Sequence, residues 1–419
     1  MRPNVKSKLD HYRMTRLVAI GDIHLHPGAK NAQKLQLLDM IITEASTVDG
    51  LGAWLLLGDL FHARSSVEDR NALAARLQRM ADRAPVLIVR GNHDGLGELQ
   101  IFAELRAEWP IYVLERPECL GFRTATMDDV TVFGLPYPER AGLVLAGVAN
   151  PDLVDEAAHA LDAIFMQAAI ELEDARAKGD MTLMVGHANI TGAIASNAQP
   201  QVGREISVMP QHLDRLGPIA KVFGHIHKPQ ELHGAVYAGS ISRGSFGEIE
   251  AKRYLVVDLH DDSTFTIADR PIDCPPMAHI EGELTRDGFT WQMTAGPGGE
   301  LQDPPTSWKG WEVRCRYRFA QSEAAVVEKA RVLAEFAEAA LLVLDPIAVP
   351  DRALRAPEVA AAKTLPDKVA AWCAISGAVA SEGVLFKLGK LEQMAPEVVL
   401  DATKDHVSDI VEEELAVPA

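Results

Sequence analysis

The feature that most constrains this chain is a short pattern that recurs through its first 240 residues. An apolar run rich in β-branched residues ends in glycine, and a side chain able to hold a metal follows. LVAI (17–20) leads to Gly21 and Asp22, WLLL (54–57) to Gly58 and Asp59, and VLIVR (86–90) to Gly91 and Asn92. TLMV (182–185) leads to Gly186 and His187, and KVF (221–223) to Gly224 and His225. Short apolar runs bounded by glycine read as strands buried on both faces. Residues 31–47, 66–83 and 151–177 lie between them and space their apolar side chains as helices do. Strands alternating with helices imply a layered α/β domain. Ligands in such sheets bind beyond the carboxyl ends of the strands. Five strand ends are therefore expected to converge on one edge.

The pattern changes near residue 235. Residues 235–240, 254–259 and 265–270 read as strands that close the sheet, and 273–307 is rich in glycine, proline and polar residues, as at a boundary. Residues 311–318 alternate Val313, Cys315 and Tyr317 as a strand, and a helix is predicted over 322–341, followed by LLVL. Proline-bearing sequence at 345–366 leads to a helical C-terminal segment. Three parts are expected: 1–272 around the metal-capable motifs, a small α+β domain over 273–350, and a helical segment over 351–419.

A length of 419 residues fits such a division. With 41 basic and 59 acidic residues the net charge is -18, which argues against a protein that coats nucleic acid non-specifically. It leaves a nuclease open, because divalent cations can meet the phosphate directly. The charge is uneven, with a basic start (1–16) and an acidic tail (401–419). The four cysteines, Cys119, Cys274, Cys315 and Cys373, show no CxxC spacing. A reducing, cytoplasmic setting is the simplest expectation. The N-terminus has no apolar signal-peptide core, and the apolar-rich 323–349 is too interrupted by charge to span a membrane.

The polar residues at the strand ends are Asp22, His24, Asp59, Asn92, His187, His225 and His227. Carboxylate, imidazole and amide donors suit manganese, iron or zinc, and the lack of thiolates disfavours a structural zinc site. Seven ligands exceed the needs of one ion. Two ions about 3.5–4 Å apart, sharing one carboxylate, fit better and could clamp a phosphate for in-line attack by water. Each D-x-H or H-x-H pair puts both side chains on one side of an extended segment.

These motifs, GDIH (21–24), GDLFH (58–62), GNHD (91–94), GHANI (186–190) and GHIH (224–227), resemble those of the calcineurin-like metallophosphoesterases. The resemblance implies a metallophosphoesterase β-sandwich flanked by helices. It further implies that Asp22, His24, Asp59 and His227 hold one ion and that Asp59, Asn92, His187 and His225 hold the other, Asp59 bridging. His93 would serve the leaving group as general acid or transition-state stabiliser, oriented by Asp94. Asp94 reads equally well as a cap for a helix over 95–106.

Within that superfamily the chain looks most like the SbcD-type DNA nucleases. His62 stands where a residue of those enzymes approaches the scissile phosphate. YAGSISRGSFGE (237–248) is similar to the segment that follows their last metal motif. The domain over 273–350 is arranged like their DNA-positioning cap. The resemblance implies a manganese-dependent 3′→5′ double-strand exonuclease and endonuclease of DNA recombination and repair. It would be homodimeric through helices such as 31–47 and 66–83. It would work with an SbcC-type coiled-coil ATPase docked on the C-terminal helices, with Trp372, Leu385, Phe386 and Leu388 as candidate anchors. The alternatives are a nucleotide or small-molecule phosphodiesterase with the same metals and, further off, a metal-bearing scaffold. His26 reads as a loop residue that could also reach substrate.

Overall fold

The structure is a computed structural model. It describes residues 13–139, 154–196, 205–248, 250–296, 303–325, 327–350, 356–394 and 398. The acidic tail, residues 1–12 of the basic start, and the start of the helix expected at 151 lie outside the described residues.

The apolar runs become the centre of two six-stranded sheets rather than one. The first holds β1 (Met14–Ile20), β2 (Leu51–Leu56), β3 (Val86–Val89), β4 (Ile111–Leu114), β11 (Lys252–His260) and β12 (Phe265–Ile272), in the order β12-β11-β1-β2-β3-β4. The second holds β5 (Glu118–Arg123), β6 (Asp129–Leu135), β7 (Met181–His187), β8 (Ala220–Gly224), β9 (Gln230–Leu232) and β10 (Ala235–Tyr237), in the order β5-β6-β7-β8-β10-β9. β1, β2, β3 and β4 pair in parallel, while β11 joins β1 antiparallel.

Both faces of these strands are covered, which explains why the runs show no polar alternation. Leu17, Ala19, Leu55, Leu57 and Leu87 of the first sheet meet Val132, Leu183, Val185 and Val222 of the second in a shared core. The side chains between them point outward. Val18, Ile20, Trp54 and Leu56 pack under α1 (Ala29–Ser46) and α2 (Val67–Ala81) through Leu38, Ile41, Leu73 and Leu77. On the other side, Phe133, Met184 and Phe223 pack under α3 (Val154–Lys178) through Leu161, Phe165 and Leu172. Burying each large side chain is worth roughly 1.5–3 kcal/mol, so the register of every strand is held from both sides. A capping box starts α2: Ser66 Oγ accepts from the Asp69 amide at 3.0 Å, and the Asp69 carboxylate reaches back to the Ser66 amide. α4 (Pro210–Arg215) precedes β8.

A third sheet is built from β13 (Met277–Leu284), β14 (Phe289–Ala295), β15 (Glu312–Ala320) and β16 (Leu341–Val349), in the order β14-β13-β15-β16. β13 and β14 arise from the polar stretch 273–307. They were concealed there because, beyond Met277 and Ala278 at the start of β13, only Ile280, Leu284 and Met293 of the two strands are buried and the rest stay partly or fully solvated. The helix expected over 322–341 is much shorter. A 3-10 turn covers Gln321–Glu323, and α5 covers only Lys329–Glu335. Phe336 stops it: its ring is buried among Trp291, Trp308 and Phe289, and the Ala340 amide donates to Trp311 O at 2.8 Å. The chain leaves the helix to pair as a strand.

The described residues of 1–318 with 328–347 form one compact unit, and those of 319–327 with 348–419 form a second. In the second, α6 (Pro357–Ala361), α7 (Leu365–Ser376) and α8 (Glu382–Glu392) form short helices without a buried residue. Trp372 and Phe386 are 57% and 66% exposed. The architecture is α/β, with sheets flanked by helices and a helical C-terminal segment, as expected.

Candidate active site

The seven candidate ligands converge, although they come from two sheets. Turns after β1, β2 and β3 bring Asp22 and His24, Asp59, and Asn92; β7 and the turn after β8 bring His187, His225 and His227. The turns are sharp. Asp22 (φ 44°), His24 (φ 51°), Asp59 (φ 51°) and His225 (φ 89°) all adopt left-handed backbone. Such conformations cost on the order of 1–3 kcal/mol each for a non-glycine residue and persist where surrounding structure holds them. Four of the seven such residues among the described ones lie in this one site, which marks it as functional.

Donor atoms of Asp22, His24 and His227 lie within 4.8 Å of one another, and so do those of Asp22, Asp59 and His187. Asp59 faces both sides: its Oδ2 is 3.3 Å from His187 Nε2 and 3.6 Å from His24 Nε2. His24 Nε2 lies 2.9 Å from His227 Nε2. Asn92 Oδ1 lies 3.1 Å from His187 Nε2 and 3.0 Å from His225 Nδ1. The two carboxylates are 1% and 2% exposed. Among the described residues neither pairs with a lysine or arginine.

The electrostatics follow from that burial. Desolvation pushes Asp22 up, against the pull of His187 and His227. Desolvation also works on Asp59, yet the His187 charge and hydrogen bond overcome it and hold Asp59 far below the usual carboxylate range. His187 is opposed by its own burial, but Asp59 raises it to about 9. Burial drives His24 well down. A dense set of carboxylate, imidazole and amide donors, with two buried carboxylates at its centre and no thiolate, fits divalent first-row ions.

His93 and His62 stand over this cluster, both exposed. Their rings stack 5.2 Å apart, and His93 lies 5.0 Å from the His24 ring. The His93 amide donates to Asp59 Oδ1 at 2.9 Å, and His93 Nδ1 donates to the His62 carbonyl at 2.5 Å. Asp94 does not make the contact expected of it. Its carboxylate accepts from the Phe61 amide at 3.1 Å and the Gly91 amide at 3.0 Å, so it ties two ligand turns together instead of orienting His93. It caps no helix either, since 95–106 forms only a 3-10 turn at Gln100–Glu104. Burial and the Asp59 charge push Asp94 up to about 7.

Close approach explains the glycines. A Cβ on Gly91 would lie 2.1 Å from Asp59 Oδ1 and 2.3 Å from the Asp59 amide nitrogen. Overpacking of this kind costs about 1–3 kcal/mol. Gly91→Ala is therefore expected to displace Asp59 and Asn92, lowering the thermal midpoint by several degrees and weakening divalent-metal binding at least tenfold. Calorimetric titration alongside a melting curve checks this; unchanged metal binding would show that the close approach is not needed.

Several residues of the site carried little sequence signal. Arg90, 4% exposed, donates to the Gly91 and Asp94 carbonyls and pairs with Glu139 at 2.6 Å, bracing the GNHD turn. Lys34 donates to the His24 carbonyl at 2.5 Å and to His26 Nδ1 at 3.2 Å, which fixes His26 as part of the frame. Glu205 Oε2 is 3.4 Å from His225 Nε2, and the Tyr137 ring lies 5.3 Å from the His225 ring. Glu248 Oε1 is 3.1 Å from His227 Nδ1. Arg90, Lys34 and Glu248 lay in segments that stood out in the sequence, but nothing there gave them a task; Glu205 and Tyr137 lay in none.

The family model for calcineurin-like phosphoesterases matches residues 15–229, the stretch that supplies every candidate ligand. The chain belongs to that family, whose members hydrolyse phosphoesters with divalent metals. Among solved structures, it is similar to TT1561 of Thermus thermophilus, with 15% identity over 61% of this chain and 99% of that one and a TM-score of 0.36. A second crystal structure shares 13% identity over 62% of this chain and 100% of its own, also with a TM-score of 0.36. Among the described residues no helix is long and apolar enough to cross a membrane.

Proposed function

We propose that this phosphoesterase is a DNA nuclease of the SbcD type: a 3′→5′ double-strand exonuclease and endonuclease of recombination and repair. It would use two manganese ions and act as a homodimer with an SbcC-type ATPase. The observation that carries the reading is the path of 237–248. Glu248 faces His227 in the site, while Arg243 Nη1 donates to Pro275 O at 2.9 Å and the Phe246 carbonyl accepts from His279 Nε2 of β13 at 2.5 Å. One segment thus serves both the metal cluster and the third sheet, as expected of an enzyme whose cap positions a polymer over the site.

Asp22, His24, Asp59 and His227 would hold one ion, and Asp59, Asn92, His187 and His225 the other. When bound, the pair supplies positive charge for a non-bridging phosphate oxygen and lowers the pKa of the attacking water. The protein residues do the rest. His187 Nδ1 donates to the Leu57 carbonyl at 2.6 Å, which turns its Nε2 toward Asp59 and Asn92. His62 presents its ring beside His93 to fix the phosphate. His93, its Nδ1 proton committed to the His62 carbonyl, offers Nε2 to the departing sugar oxygen. In the second unit, Trp372, Leu385, Phe386 and Leu388 would anchor the ATPase, the exposed Trp372 and Phe386 supplying the aromatic surface such contacts favour.

One observation favours a small phosphodiester as substrate instead. The outward arginines of β15 are matched by acids: Arg316 and Arg318 pair in register with Glu281 and Glu283, and Arg314 binds Asp345 at 2.7 Å. That face offers no net positive track for a DNA backbone. Manganese-dependent digestion of end-labelled linear duplex DNA, with bis-p-nitrophenyl phosphate in parallel, separates the readings. Degradation of the duplex is expected; cleavage of the small ester alone, with or without an ATPase partner, would move the substrate to small phosphodiesters.

A further inference from the structure

The far nitrogen of each of three imidazoles in the site is held, but not in the same way. His187 uses a backbone carbonyl, and His225 faces Glu205 at 3.4 Å. His227 Nδ1 meets Glu248 Oε1 at 3.1 Å, and Glu248 is itself clamped. Its Oε2 accepts from Lys252 Nζ at 2.6 Å and from Ser240 Oγ at 3.2 Å. Lys252 also donates to Ser240 Oγ at 2.8 Å and to the His227 carbonyl at 3.3 Å. Glu248 and Lys252 are 3% and 1% exposed.

Stability alone gives no reason for such a pair. Two charges removed from water repay their desolvation only with good geometry, and apolar residues of similar size often serve as well or better. What the pair does supply is direction. A carboxylate that accepts the Nδ1 proton of an imidazole fixes its tautomer, leaves the Nε2 lone pair free, and makes that nitrogen more basic. Here Nε2 of His227 lies 2.9 Å from His24 Nε2, in the donor group that holds the buried Asp22 carboxylate. Lysine and serine donors on the other oxygen prevent Glu248 from turning away.

We propose that Glu248, clamped by Lys252 and Ser240, is the positioning residue that fixes the tautomer and orientation of His227 for metal binding. This rests on the reading of His227 as a metal ligand. It assigns a task to the SFGE end of the 237–248 segment and to a buried lysine that the chemistry does not otherwise use.

The test is calorimetric titration of manganese into the full chain after chelator treatment, with thermal midpoints measured in excess chelator. Glu248→Gln alone leaves Lys252 buried without its carboxylate, so a lower midpoint is expected. The deciding variant is therefore Glu248→Gln with Lys252→Met, which removes both charges at similar volume. Its midpoint is expected to recover toward wild type while one manganese site stays weakened by about 10–100-fold. Wild-type affinity in that double variant would overturn the proposal. His227→Ala is the control: loss of one ion there, with the double variant unaffected, sinks only the role of Glu248. Two ions bound with unchanged affinity by His227→Ala would sink the ligand assignment and this proposal with it.

Discussion

Asp59→Ala is expected to strip the site of metal and to slow hydrolysis of bis-p-nitrophenyl phosphate by at least about 10³-fold, more than the loss of a single transition-state donor causes. The expectation follows from where this carboxylate sits. Its Oδ2 lies between His187 at 3.3 Å and His24 at 3.6 Å, and its Oδ1 accepts from the His93 amide at 2.9 Å. One side chain therefore links both ligand groups and the turn that carries Asn92 and His93. Alanine removes the shared donor, releases the His93 amide, and leaves His187 without the charge that faces it. Asp59 is also the group that the backbone is strained to present, at φ 51°. Metal analysis after gel filtration, run beside the hydrolysis assay, reads both effects. Retention of two fully occupied ions would rule out a bridging role and would move the shared donor to Asp22, the other buried carboxylate in reach.

The parts of this site that were legible in the sequence are those with a local cause. Five of the seven candidate ligands follow a glycine at the end of an apolar run, and His24 and His227 come two residues later, because the strand must be buried on both faces and the turn must be tight. Both demands are written in neighbouring residues. The division into two sheets is not local. β1 and β7 have the same apolar character, and only long-range pairing, such as β1 with β11 more than two hundred residues away, decides which sheet receives which strand. Strand β4 is short and β5 is partly exposed, so their periodicity was weak. Supporting residues were hidden for a related reason. Glu248 acts on His227 across 21 positions and Glu205 acts on His225 across 20, and neither spacing belongs to a helix or a strand. Asp94 shows the opposite failure. Its place beside His93 in the sequence suggested a partner, but the turn points its carboxylate to the Phe61 and Gly91 amides instead.

His93→Ala separates metal binding from leaving-group chemistry, and its effect should depend on the ester. The His93 imidazole is near the cluster but belongs to neither group of closely spaced donors that contains a carboxylate. Both ions should therefore bind as in the wild-type chain. In cleavage of DNA the departing group is a sugar alkoxide, a strong base that needs a proton or a positive charge as the bond breaks. With Nδ1 donating to the His62 carbonyl, only Nε2 is available, and it can deliver a proton only from the doubly protonated ring. If DNA is the substrate, as proposed, losing that group should slow its cleavage by about 10²–10⁴-fold. p-Nitrophenolate is a weak base that leaves without help, so bis-p-nitrophenyl phosphate should be cleaved at a rate within about tenfold of wild type, since proton transfer contributes little to that step. The ratio of the two rates is the informative quantity. Equal losses on both esters would show that His93 holds the phosphate, as His62 is proposed to do, and not the leaving oxygen. Loss of an ion would place it among the ligands with His24 and His62, whose nitrogens lie within 4.8 Å of its own.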